Sequence, residues 1–366
     1  MRCGGDKISE IAYSDVEEII EEFDLNTKAT APAPVAGLEG NSRMFRVSRK
    51  DLPKEVFIVE TKAGREIACH PHIVGKMIEI LSLRAAREAV KAMRELSDLR
   101  SGGVDTAVVV HILRAGPGYK LREAIREEEP ELTLSEVFIR PRYVKPSFRD
   151  HESVRRLEVL HSDFGQLPRN SEIAMMVPDT LATGRTVIAS LESTLEGVDQ
   201  AGSSVRRLIV YGFISAEGLK VVADFTGSRG IPTSFFCIGN VTDLAYNGYD
   251  MPLYGLDESS WSKKKQLRKL GAIVDESTLQ KYLPEYVAGL DQPGDWSARQ
   301  TKVFTGVSWE PGGITEHLKH NLHVIRALRT LSKGQPWFKP WHEDIFRKET
   351  EAIERTLTDQ SAHERN

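Results

Sequence analysis

A change of rhythm in the middle of the chain restricts its fold more than any other feature. Uninterrupted β-type runs occur at Thr106–Leu113, Val137–Ile139, Ile173–Val177, Leu208–Phe213 and Ser234–Ile238. Stretches with helical spacing separate most of them, at Gly118–Glu128, Thr186–Val198 and Ala216–Phe225. A strand that is apolar on both faces needs cover on both faces, and amphipathic crossover helices supply it. The pattern predicts an α/β fold with a parallel sheet flanked by helices. Another short β run is expected at Val56–Glu60. A long helix is expected over Ile73–Leu99, with Met77, Ile80, Leu81, Ala85, Val90, Met93 and Leu96 on its apolar face.

The two ends read differently. Residues 1–26 include an acidic amphipathic helix with Ser14 as N-cap, Glu17 as its capping-box partner and Val16, Ile19, Ile20 and Phe23 as its stripe. Thr27–Gly40, with Ala31-Pro-Ala-Pro34, reads as a linker. Beyond about Gly271 the chain is mixed and then helical, at Thr315–Ser332 and Trp341–Leu357. The expected organisation is an N-terminal helix and linker (residues 1–40), a core (41–270) and a mostly helical C-terminal appendage (271–366). Arg140–Arg169 is rich in Arg, His and Pro and lacks periodicity, so it reads as a long loop serving a functional site.

Composition narrows the classes. The 366 residues carry 49 Lys+Arg against 53 Asp+Glu, a net charge of −4, which argues against nonspecific nucleic-acid binding. The three cysteines, Cys3, Cys69 and Cys237, form neither a disulfide framework nor a zinc knuckle, so a reducing cytoplasm is the expected location. The longest apolar run, near Ala107–Val110, is far shorter than the roughly 20 residues of a membrane span, and no signal-peptide core opens the chain. A cytoplasmic enzyme without a membrane partner is expected.

The chemistry concentrates in Ile173-Ala-Met-Met-Val-Pro-Asp-Thr-Leu-Ala-Thr-Gly-Arg-Thr186. Here a strand leads to an acid, a tight loop and a helix start. Free backbone N–H groups at Thr183, Gly184, Arg185 and Thr186 suit a phosphate, and Asp179 suits sugar hydroxyls. Neither the Walker A spacing nor a Gly-x-Gly-x-x-Gly fingerprint is present.

This segment resembles the phosphoribosyl-pyrophosphate (PRPP) motif of type I phosphoribosyltransferases, and Leu181-Ala-Thr-Gly184 is most similar to the uracil enzymes. Ile112-Leu-Arg-Ala-Gly116 resembles that family's pyrophosphate loop, and Asn247-Gly-Tyr-Asp-Met-Pro252 resembles its late base-recognition segment. The resemblance covers about Ala68–Ser260. It implies a type I phosphoribosyltransferase-like parallel sheet flanked by helices, with helical N- and C-terminal extensions. It also implies Mg²⁺-dependent transfer of 5-phosphoribosyl from PRPP to a nucleobase-like acceptor, with uracil leading, and a homodimer.

By the same resemblance, Arg114 and Asp179 are the expected catalytic residues. PRPP contacts fall on Arg114, Ala115, Gly116 and Asp179, then on Thr180, Leu181, Ala182, Thr183, Gly184, Arg185 and Thr186. Arg140, Arg142, Lys145 and Arg149 are the expected cations of the mobile loop. Tyr249, Asp250, Met251, Pro252, Gly255 and Asp257 are expected at the base, and Asp257 also at the metal, through substrate or water.

Two positions depart from the family pattern. Pro178-Asp179 replaces its paired acids, with Pro first where the uracil enzymes put it second, and Leu253-Tyr-Gly-Leu-Asp257 replaces the uracil enzymes' Gly-Leu-Gly-Asp. Ala182 stands where the 6-oxopurine enzymes place an acid, which favours a pyrimidine-like or other acceptor. These departures keep two alternatives open: an inactive regulator that senses PRPP or nucleotide, and an enzyme with a nonstandard heterocyclic acceptor.

Other features point to structure. His317, His320 and His323 drift around a helix, and His70-Pro-His72 reads as a turn. Trp337-Phe-Lys-Pro-Trp341 reads as tail packing against the core.

Overall fold

A computed structural model of the chain describes residues 11–97, 106–144 and 156–363. In chain order, the first elements are α1 (Tyr13–Glu22), β1 (Thr30–Pro32), β2 (Arg43–Val47), β3 (Val56–Glu60), α2 (Lys62–Cys69) and α3 (Lys76–Leu96). Next come β4 (Thr106–Ile112), a 3₁₀ turn (Gly116–Tyr119), α4 (Leu121–Glu128), β5 (Thr133–Val144) and β6 (Arg156–Asp163). The centre continues through β7 (Glu172–Pro178), α5 (Arg185–Gln200), β8 (Ser204–Ser215), α6 (Ala216–Gly227) and β9 (Thr233–Thr242). The C-terminal part holds β10 (Tyr254–Leu256), α7 (Glu258–Lys264), β11 (Lys269–Gly271), α8 (Glu276–Tyr282), β12 (Lys302–Phe304), β13 (Trp309–Pro311), α9 (Ile314–Ser332) and α10 (Pro340–His363).

The main sheet has the order β1-β2-β3-β9-β8-β7-β4-β5-β6. The strands from β3 to β5 in that order are parallel, and antiparallel pairs close both edges. The period of two divides each central strand between two cores. Val109, Met176, Ile209 and Phe236 face α3, α4 and the C-terminal elements. Val110, Met175, Val210 and Phe235 face α5 and α6. The parallel sheet covered by helices on both faces is the architecture expected from the sequence. Among the described residues, no helix is long and apolar enough to cross a membrane.

Several local expectations change. Most of Arg140–Arg169 that is described is not a loop, because β5 and β6 pair antiparallel along it and place Arg140 and Arg142 within β5. The register shifts between Arg140 and Pro141. The unpaired residue of this bulge is Leu160 on the edge strand β6, opposite Arg140 and Pro141, and it interrupts the alternation that would otherwise mark the strand. Arg140 Nη1 donates to the Thr305 carbonyl at 3.2 Å, which anchors it to the β12–β13 hairpin. Lys145, Arg149 and Cys3 lie outside the described residues.

The stretch expected to be a linker is packed. Thr30–Pro32 forms the sheet edge, and the Ala36 and Glu39 N–H groups donate to the Glu95 and Glu88 carboxylates. Pro is tolerated there because an edge strand has an unpaired side. Helix α1 starts at Tyr13 with no side-chain cap, so Ser14 is not the N-cap. Instead, Asp15 accepts from Trp341 Nε1 at 3.0 Å, and Tyr13 Oη donates to Glu276 at 3.2 Å, both across to the C-terminal part. Met77, expected on an apolar face, is exposed.

The C-terminal part shares a core with the N-terminus. Phe23 packs edge-on against Trp337 at 4.9 Å and lies 5.3 Å from Tyr254. Trp337 and Trp341 are buried, in line with the reading of that segment as tail packing.

Candidate active site

Strands β4 and β7 are neighbours, but their crossovers leave in opposite directions. The chain leaves β4 through α4 toward β5, and leaves β7 through α5 toward β8. The carboxyl ends of the two strands therefore open a crevice at a topological switch point. A cleft of about 1010 Å³ occupies this position.

Its floor is built from the two loops that follow these strands. After β4, Leu113 N–H donates to the Ile139 carbonyl at 2.8 Å, and Gly118 N–H donates to Ala115 at 3.0 Å. The Leu113–Arg114 peptide is cis. Gly116 sits where a Cβ would lie 3.1 Å from His111 Cα and 3.3 Å from the Pro178 carbonyl, so the absence of a side chain lets the two loops abut. Arg114 and Ala115 line the cleft, while Gly116 lies buried behind them.

After β7 the chain keeps its register with β8. Asp179 and Leu181 N–H groups donate to the Tyr211 and Phe213 carbonyls at 3.0 and 2.8 Å. This alternation turns the Asp179 side chain to the cleft, with 6% of its surface exposed. Burial pushes its carboxyl pKa up to about 7, and a hydrogen bond from the Thr180 N–H offsets part of that rise. The Thr180 hydroxyl shares a hydrogen bond of 2.5 Å with Tyr119 Oη, whose ring stacks on Trp296 at 4.2 Å.

Thr183 and Gly184 then turn the chain into α5, with Gly184 at φ +78° and no side chain capping the helix. Its first N–H groups and dipole face the cleft beside Arg185 and Thr186. Ser215 braces the turn from behind. Its hydroxyl donates to the Ala182 carbonyl at 2.6 Å and accepts from Gly218 N–H at 2.9 Å, which caps α6.

The opposite wall combines two segments. In 245–250 the Asn247 carboxamide accepts from Tyr249 and Asp250 N–H groups at 2.9 and 3.0 Å, and Asn247, Gly248 and Tyr249 line the cleft. The second segment runs from Asp291 to Ser297 and contributes Asp291, Pro293, Gly294, Asp295 and Trp296 to the lining. Asp291 Oδ1 accepts from Met251 N–H at 2.8 Å and so joins the two walls. Its carboxyl pKa is raised, first by burial and then by the neighbouring Asp250 charge.

The expected residues divide clearly. Arg114, Ala115, Asp179, Thr180, Leu181, Ala182, Thr183, Gly184, Arg185, Thr186 and Tyr249 line one cleft. Arg140, Arg142, Asp250, Met251, Pro252, Gly255 and Asp257 are not among its lining residues. Asp257 is committed elsewhere. Its carboxylate caps α7 through Ser260 N–H at 3.0 Å and accepts from Tyr246 N–H at 2.8 Å. Gly255 lets β10 touch the 288–289 backbone, since a Cβ there would meet Gly289 N at 2.1 Å.

The sequence reading missed Asp291–Ser297. The only local signal was a pair of acids set among Pro and Gly in Asp291-Gln-Pro-Gly-Asp-Trp296.

Neither a family model nor a curated protein matches the sequence. Similar solved structures include adenine phosphoribosyltransferase from Leishmania donovani, 14% identical with a TM-score of 0.32, over 52% of this chain and 85% of that one. The Trypanosoma brucei adenine enzyme, in complex with AMP, pyrophosphate and ribose-5-phosphate, is 15% identical with a TM-score of 0.30, over 53% and 82%. A hypoxanthine phosphoribosyltransferase from Staphylococcus aureus is 14% identical with a TM-score of 0.25, over 36% and 62%.

Proposed function

We propose that this chain transfers 5-phosphoribosyl from PRPP to a nucleobase-like acceptor and releases pyrophosphate. The observation that carries this reading is the meeting of the Arg114–Gly116 loop and the Thr183–Thr186 turn on either side of buried Asp179, in one switch-point cleft. The 5-phosphate is assigned to the start of α5, where N–H groups, two Thr hydroxyls and Arg185 converge. The ribose hydroxyls are assigned to Asp179, and the departing pyrophosphate to the Arg114 loop. Placing these groups in a partly water-excluded site favours charge separation at the sugar and limits hydrolysis.

The cleft's carboxylates are hard oxygen donors, the set that Mg²⁺ takes together with phosphate oxygens. Asp179, Asp291 and Asp295 are the residues suited to hold it, rather than Asp257. When bound, the ion neutralises pyrophosphate charge. The acceptor is assigned to the wall formed by Asn247, Tyr249 and Asp291, and uracil is the first acceptor to test.

The decisive experiment is a pyrophosphate-release screen with PRPP, Mg²⁺ and a panel of bases, paired with calorimetric titration of PRPP. We expect saturable PRPP binding, weakened at least about tenfold in Thr183→Ala/Arg185→Ala, since each charged or hydroxyl contact is worth on the order of 1 kcal/mol. No binding, or equal binding to the double variant, would remove the proposal.

A further inference from the structure

A second cluster of chemistry-bearing side chains lies outside the cleft lining. Helix α2 ends at Cys69, and Ile73 N–H donates to the His70 carbonyl at 3.0 Å, closing the turn expected from His70-Pro-His72. The tertiary fold adds Glu349, from α10. His70 Nδ1 lies 3.0 Å from Glu349 Oε2, and His72 Nδ1 lies 2.5 Å from Glu349 Oε1. One ligand atom from each residue falls within 4.8 Å of the others, a spacing that among the described residues is met by this His/Cys/Asp/Glu group.

We propose that His70, His72 and Glu349 bind a divalent transition cation of the zinc class, with a further coordination position left to water. The site would join α10 to the turn between α2 and α3.

Three observations support a cation rather than a hydrogen-bonded clamp alone. The donor set of two imidazole nitrogens and one carboxylate suits a borderline-soft ion and not a hard one. Both imidazoles aim the same atom, Nδ1, at the one Glu349 carboxylate, each at a different oxygen, while His70 Nε2 lies 4.0 Å from Glu285 Oε2, which Arg65 Nε holds at 3.1 Å. At 4.0 Å this carboxylate is not hydrogen-bonded to the ring, but its charge would favour a proton on His70 Nε2 once a cation takes the Nδ1 lone pair. Without a cation, Nδ1–H groups donate to Glu349. Binding moves each such proton to Nε2 through solvent, or releases it from a charged ring.

The third observation is rigidity. Fully buried Arg299 donates from Nη2 to the His70 and Ile73 carbonyls at 2.9 and 3.0 Å, and from Nη1 to Ile67 at 3.1 Å. His317 Nε2 lies 3.0 Å from the Pro71 carbonyl. The turn is thus held in place before any ion arrives. Glu349 is 5% exposed, whereas His70 and His72 retain 24% and 28%, which gives an ion a path in.

The test uses the untagged full-length chain, freed of metal with a chelator and titrated with Zn²⁺ in excess Mg²⁺ so that oxygen-lined sites are occupied. We expect one saturable equivalent per chain, weakened at least about tenfold in His72→Ala and Glu349→Gln and unchanged in His320→Ala. Wild-type protein titrated with Co²⁺ is expected to develop visible d–d absorption that Zn²⁺ displaces, a readout needing no variant. Absence of a saturable equivalent and of the Co²⁺ spectrum overturns the proposal, as does wild-type affinity in folded His72→Ala protein. Neither readout depends on phosphoribosyl transfer, so the two proposals fail separately.

Discussion

Asp179 is held almost wholly out of water at the end of β7, and the consequence is a proton bound more tightly by the folded chain than by the unfolded one. Its carboxyl moves from 3.8 to about 7. The unfolded chain therefore gives up this proton first, and ligand-free stability falls as pH rises from about 4 to about 7, then levels off. At 1.36 kcal/mol per pH unit, the full effect is on the order of 4 kcal/mol. Asp291 is shifted in the same direction by burial and by Asp250. Urea unfolding at about pH 5 and about pH 8 should show Asp179→Asn more stable than wild type at the higher pH, and by a clearly smaller margin at the lower. An unchanged pH slope would mean that this carboxyl is not the buried group. Cation binding in the cleft should strengthen over the same range, because protons compete for the same oxygens. Gly212 makes a second residue-scale case. Its φ is +152°, and a Cβ there would lie 2.0 Å from the Asp179 carbonyl. With backbone on the other side of the clash, Gly212→Ala should lose several kcal/mol or fail to fold, measured as a fall in Tm.

At the scale of elements, the turn from β7 into α5 depends on neighbours outside the cleft lining. Ser215 lies at the end of β8 and joins the start of α6 to the Ala182 carbonyl. Ser215→Ala removes an N-cap and leaves that carbonyl without its donor, so we expect a loss of about 1–2 kcal/mol in chemical denaturation. The same variant should bind PRPP more weakly, because the turn after β7 loses its brace. A stability change without any change in PRPP affinity would assign Ser215 to capping alone. Tyr119 works from the other side, with its hydroxyl on Thr180 and its ring on Trp296. This contact links the C-terminal segment to the floor of the cleft.

Across the whole molecule, Arg299 connects regions far apart in sequence. Its guanidinium donates to Ile67, His70, Ile73 and Pro293 carbonyls, and Pro293 lines the cleft. Burial lowers its pKa only to about 10, so it stays charged at neutral pH. Arg299→Met leaves those carbonyls unsatisfied, with an expected cost on the order of 3–5 kcal/mol. Arg299→Lys should rescue little, because an ammonium cannot reproduce a planar fork of donors. Equal melting curves for wild type and Arg299→Lys would show that charge alone suffices.

Much of this was legible in local pattern. The runs at Thr106–Leu113, Ile173–Val177, Leu208–Phe213 and Ser234–Ile238 became β4, β7, β8 and β9, because a parallel strand buried on both faces is apolar along its length. The loop after β7 and the helix start were readable because residue types and spacing lie within one short segment. The Arg140–Arg169 stretch was not readable as a strand pair, since a two-sided polar edge strand with a bulge carries no period for hydropathy to reveal. Asp257 could not be separated from a ligand by sequence, because capping and coordination use the same carboxylate. Sequence by itself determined the parallel α/β sheet and the tight turn from β7 into α5, both consequences of short-range pattern. Only the tertiary structure decided that Asp291–Ser297 walls the cleft and that Glu349 meets His70 and His72. Those meetings depend on how distant elements pack, and no local period encodes them.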